Sequence, residues 1–139
     1  WMALVHGADG YGFFCHSWAG PQPSVAAISP EMQAALAPVN AEVHKLAPVL
    51  NSPTIADAAT VKPSMGSRVD VMVKRHEGAT YLFAVNMLRK PEKATITLKG
   101  LGDAKAEVLF ENRTIAIEGG VLTDDFAPYA VHRYRIAAK

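Results

Sequence analysis

The residues with the most obvious chemistry are Cys15-His16-Ser17-Trp18-Ala19, which set a hydroxyl beside an imidazole, with Asp125 and His132 following far along the chain. Nucleophile, acid and base in that order would suit acyl transfer. The local pattern argues against it. Cys15 and Ala19 stand where a nucleophile elbow needs glycines, and Gly20, Pro21 and Pro23 forbid a helix directly after the serine. An oxyanion-hole motif from an earlier strand is also missing. Ester or lactone hydrolysis by Ser17, Asp125 and His132 therefore stands as an alternative only.

Other chemistries find less support. Cys15 is the single cysteine, so neither an internal disulfide nor a multi-thiolate metal site is available. His6, His16, His44, His76 and His132 are dispersed without a paired helical spacing. Asp124-Asp125 offers too few oxygens for Ca²⁺, which takes about six or more, so an acidic turn is the expectation there. No metal and no cofactor is implied. Tyr81, Phe126, Tyr129 and Tyr134 are candidate sugar-stacking aromatics of an autonomous carbohydrate-binding module, although alternation places Tyr81 and Tyr134 in a core.

Composition narrows the class. Half of the 139 residues are apolar and 19% are charged, as in a globular chain. A net charge of +1 gives no field for nucleic acid or an anionic membrane. No run approaches the ~18 apolar residues of a membrane span. The charge is unevenly distributed. Of 14 basic and 13 acidic groups, only Lys45, Asp9, Glu31 and Glu42 fall within residues 1–52. So few charges imply that this part is covered by a partner surface.

The elements that would position these residues fall into two sets. Trp1–Gly7 reads as the end of a helix, with Gly7 at the left-handed cap. Tyr11–Trp18 begins as a nearly continuous aromatic and apolar run bounded by glycine, the pattern of a strand buried on both faces. Alternation would put His16 and Trp18 on one face of it. After a Gly/Pro/Ser loop, Ser29 caps a helix with Pro30 in its first turn. Met32, Leu36, Val39, Val43, Leu46 and Leu50 form one apolar stripe along it. Pro38 predicts a kink, and Pro48 helps to end the helix. Beyond Pro53 the period becomes two, with strands at 69–74, 81–86, 94–99, 106–110, 114–117, 121–122 and 130–136. Arg133 and Arg135 look like the solvated face of an edge strand.

A strand–loop–helix unit followed by an antiparallel sandwich has a familiar counterpart. Trp1–Phe14, in which a helix ending His6-Gly7-Ala8 leads through a glycine turn to an aromatic strand, resembles the last barrel passage of β-galactosidase-like (β/α)8 glycoside hydrolases. Leu46-Ala47-Pro48-Val49-Leu50 resembles their final barrel helix, and Val108–Arg113 with Leu122–Tyr134 the close of their C-terminal sandwich. The resemblance covers nearly the whole chain. It implies that the acid and nucleophile are carboxylates on earlier strands about 5 Å apart, which this chain lacks. It also implies that Trp18, with His16 beside it, would line a sugar site.

The expectation is a mainly β chain: residues 1–52 as a remnant of a truncated barrel, residues 53–139 as an antiparallel β-sandwich. Its function would be that of a non-catalytic accessory domain of a glycoside-hydrolase-like protein, with Trp18 and His16 as substrate-binding residues. Expected partners are the remainder of the barrel, or a second copy docked through residues 1–50, and a carbohydrate. Neither nucleic acid nor membrane is expected.

Overall fold

The computed structural model describes residues 1–15, 28–62 and 68–138. The order of elements is α1 (Met2–Val5), α2 (Pro30–Leu50), then β1 (Ala59–Lys62), β2 (Val69–His76), β3 (Ala79–Asn86), β4 (Glu92–Leu98), β5 (Ala104–Val108), β6 (Arg113–Ile117), β7 (Val121–Phe126) and β8 (Val131–Ile136). All strand pairings are antiparallel, in a three-stranded sheet β1-β4-β7 and a five-stranded sheet β2-β3-β8-β5-β6. The chain is thus mainly β, a sandwich with one helical layer against it.

Alternation explains the layers. Val69, Val73, Leu82, Ala84, Tyr134 and Ile136 of the larger sheet face Ala94, Ile96, Leu98, Leu122 and Phe126 of the smaller one in a single buried core. The other face of the larger sheet carries Met72, Phe83 and Val85, and on them sit Val5 of α1 with Leu46 and Val49 of α2. Each fully buried aliphatic side chain contributes about 1.5–3 kcal/mol. The β2–β3 connection turns at Glu77 (φ 48°) and Gly78 (φ 77°), the paired left-handed residues of a tight hairpin.

The long helix begins as its sequence requires: Met32 N–H donates to Ser29 Oγ at 3.2 Å, with Pro30 opening the first turn. Pro38 lies inside it, and it ends shortly after Pro48, at Leu50. Leu46 and Val49 hold its last turns on the sheet. Its apolar stripe is covered unevenly: Leu46 is buried, Leu36, Val39 and Val43 are half-buried, and Met32 is exposed.

Three expectations need correction, and one strand was not foreseen. Tyr11–Cys15 form no strand and pair with neither sheet, and Tyr11, Phe13 and Phe14 are exposed. A ribbon buried on both faces needs a neighbour on each side, and the described residues provide none. β8 is not an edge strand: it lies between β3 and β5, and Arg133 is buried beneath α2. Asp124 and Asp125 belong to strand β7 rather than to a turn. β1, short and half-covered, was not anticipated at all.

Candidate functional site

Trp18 and His16, the sugar-site residues expected from the sequence, lie outside the described residues, as does Ser17. The other two members of the serine-hydrolase alternative are described, and they are not a pair. The Asp125 carboxylate is exposed and faces Lys93 Nζ at 3.8 Å. The His132 ring has Nδ1 2.6 Å from Glu111 Oε1 and Nε2 3.1 Å from the Asp125 carbonyl. With both ring nitrogens engaged and the ring 4.5 Å from that of Phe126, His132 is a packed structural group. Of the aromatics considered for an autonomous sugar module, Tyr134 and Phe126 are buried and Tyr129 is exposed.

His132 is part of a polar cluster that spans the two sheets. Arg113 of β6 donates from Nη1 and Nη2 to the two carboxylate oxygens of Asp124 on β7, at 3.0 and 2.8 Å, and from Nε to Glu111 at 2.8 Å. Tyr134 Oη of β8 donates to Asp124 at 2.7 Å. Burial alone would raise the Asp124 pKa, but hydrogen bonds from Arg113, Tyr134 and the Asp125 N–H outweigh it and hold the carboxyl below its ordinary value. Burial, then Asp124, pushes the Tyr134 hydroxyl up. Glu111 and Asp124 are thus two carboxylates tied to one guanidinium. A glycosidase acid needs a raised pKa, and Asp124 has the opposite. The sequence carried a signal for this cluster. Asp124 alternates with inward Leu122 and Phe126, and Arg113 with inward Ile115 and Ile117, so each inward row contains one charge of opposite sign.

The second polar arrangement lies where α1, α2 and β2 meet. A cavity of about 590 Å³ is walled on its apolar side by Leu4, Val43, Leu50 and Met72. Lys74 and Asp9 also line it. Lys74 is 7% exposed and donates from Nζ to the Ser52 carbonyl at 2.6 Å, at the carbonyl end of α2, where a cation is favoured. Burial lowers its pKa and the Asp9 carboxylate works against that shift. Tyr11, at the rim, donates from Oη to Asn40 Oδ1 at 2.6 Å, which fixes its ring against α2. Sequence alone gave no sign of this cavity, because its walls come from three separate segments, 4–11, 43–54 and 72–74. Among the described residues no group of three or more His, Cys, Asp or Glu could hold a metal ion.

The architecture is that of a two-sheet antiparallel sandwich backed by helices. No described protein family and no curated protein matches the chain by sequence. By structure it is similar to an Anoxybacillus α-amylase, with a TM-score of 0.56 and 14% identity over 80% of this chain and 23% of that one. It is also similar to AmyP in complex with maltotriose, with a TM-score of 0.57 and 14% identity over 83% of this chain and 23% of that one. A GH42 β-galactosidase from G. stearothermophilus aligns at a TM-score of 0.38 and 17% identity, covering 76% of this chain and 12% of that one, which is too low to carry an argument. The chain spans about a quarter of the length of the first two. At these identities the likeness is one of fold: the chain has a fold that occurs in glycoside hydrolases.

Proposed function

We propose that this chain serves as a non-catalytic C-terminal domain of a glycoside-hydrolase-like protein, whose chemistry is done by carboxylates outside residues 1–139. The observation that carries this is the division of α2. Its C-terminal half is seated on the sandwich through Leu46 and Val49, while its N-terminal half presents Met32 to solvent, and Phe13 and Phe14, earlier in the chain, are exposed as well. A helix with one end bound and one apolar flank open is suited to join two bodies. The fold likeness, which takes in most of this chain but about a quarter of each matched structure, supports the same reading. The second body would be the remaining strand–helix units of a barrel, in a protein of the β-galactosidase-like kind or of an amylase-like one. The sandwich would brace the last barrel unit, and Trp18 with His16 would line the sugar site.

The test is turnover. Purified chain is expected to release no nitrophenol from aryl α- or β-glucosides and galactosides. Turnover that persists through successive purification steps and disappears on Glu111→Gln or Asp124→Asn substitution would overturn the reading, because it would place the reacting carboxylates within this chain.

A further inference from the structure

We infer that the cavity between α1, α2 and β2 is a binding site for one pyranose unit of a neutral carbohydrate. Its polar groups offer both hydrogen-bond roles. Lys74 has three donors and, among the described residues, gives one to Ser52, so two remain for the cavity. An ammonium buried this deeply is costly unless its donors are used. Asp9 provides an acceptor carboxylate in the same lining. Asn51 and Thr54, also in the lining, can each donate and accept.

A purely anionic ligand would meet Asp9 and the carbonyl end of α2, and a purely cationic one would meet Lys74. Hydroxyl groups satisfy both, because each donates and accepts. The non-polar part of the site matches the rest of a sugar. Tyr11 is 42% exposed, its ring is held by the bond to Asn40, and Phe13 lies edge-on to it at 5.5 Å. An immobilised ring in a lining that also holds Leu4 and Val43 can accept the C–H face of a pyranose, leaving its hydroxyls to Lys74 and Asp9. The volume of about 590 Å³ falls in the range of small-molecule sites. The proposal does not depend on the accessory-domain reading, since sugar can bind whether or not the chain turns over a glycoside.

The probes are methyl α- and β-glucopyranoside and methyl α- and β-galactopyranoside, titrated into the full chain and followed by amide chemical shifts. At least one is expected to give saturable shifts at Asp9, Tyr11 and Lys74, with a dissociation constant on the order of 1 mM. Tyr11→Ala alters an exposed side chain and should keep the thermal midpoint, and Asp9→Asn, which removes a charge that favours the buried Lys74 ammonium, is checked for folding by its amide spectrum. Each should weaken binding by about fivefold, the equivalent of one lost contact. Lys74→Met, checked for folding by its amide spectrum, should weaken it further. Three results would overturn the inference: no saturable shift with any of the four glycosides, saturation centred away from these residues, or tighter binding of hexanoate or hexylamine than of every glycoside.

Discussion

Arg133 of β8 donates from Nη1 to Glu42 of α2 at 2.7 Å, across 91 residues of sequence. Its guanidinium also lies 5.4 Å from the Trp1 ring centroid and 5.1 Å from that of Phe110. This one side chain therefore ties the long helix, the N-terminal turn and the β5–β6 loop to the middle of the larger sheet. The two partners are not equally costly to lose. Arg133 has 8% of its side chain exposed and Glu42 has 23%. Glu42→Ala leaves a buried cation without its counter-ion and should cost about 3 kcal/mol. Arg133→Met removes that cation together with its Nε, which is buried without a partner among the described residues, and leaves Glu42 able to turn to water. It should cost about 1 kcal/mol. Urea unfolding of both variants checks the order, and equal losses would mean that the pair is solvent-screened.

Acid should unlock the inter-sheet cluster. Asp124 titrates below its ordinary value of 3.8 in the folded chain. Its contribution to stability is therefore complete above that value and is lost as pH falls through the lower, folded-state pKa. Unfolding midpoints followed from pH 6 downward should drop below about pH 4, with a smaller drop in Asp124→Asn. That variant should already be weaker at neutral pH, since it exchanges a bidentate ion pair for one neutral acceptor. An unchanged acid limb in Asp124→Asn would assign the transition to other carboxylates.

Gly120 separates steric cost from backbone cost. It has φ +81°, and a Cβ there would meet the Leu98 carbonyl oxygen at 2.9 Å and still closer the Leu101 carbonyl oxygen. Gly100 has φ +75° with nothing near its absent side chain. Gly100→Ala should thus cost about 1–2 kcal/mol for the left-handed backbone alone. Gly120→Ala adds overpacking against rigid carbonyls and should cost about 2–4 kcal/mol. Thermal denaturation of the two variants provides the comparison, and equal shifts would refute the close approach.

What could be read from the chain was what repeats locally. The two-residue period of Val69, Val71 and Val73, or of Ala94, Ile96 and Leu98, fixes which side chains turn inward, and those strands lie where the pattern put them. Ser29 and Pro30 likewise marked the start of α2 because capping is a local interaction. Neighbour order is not local. Nothing in Val131–Ile136 says that this last strand inserts between β3 and β5, so Arg133 was misread as a surface residue. Asp124 was misread for a related reason. Aspartate in an exposed run favours turns, and only the distant Arg113 and Tyr134 make it acceptable on the inner face of a strand.

The open flank of α2 leads to the last prediction. Residues 1–52 hold Lys45, Asp9, Glu31 and Glu42 as their only formal side-chain charges, yet they expose Met32 (52%), Phe13 (48%) and Phe14 (82%). Charges that would keep two copies apart are scarce on this side, and apolar contact is favourable at about 25 cal/mol per Å² buried. The chain alone should therefore self-associate, with a sedimentation coefficient that rises with protein concentration. Met32→Lys combined with Phe13→Ser removes two exposed apolar side chains without touching the sandwich, and should restore a concentration-independent monomer. Substitution of Tyr129, which is 53% exposed on the sandwich beyond β7, should leave association unchanged. A wild-type chain that stays monomeric through the whole series would mean that the flank is not sticky enough to need a partner.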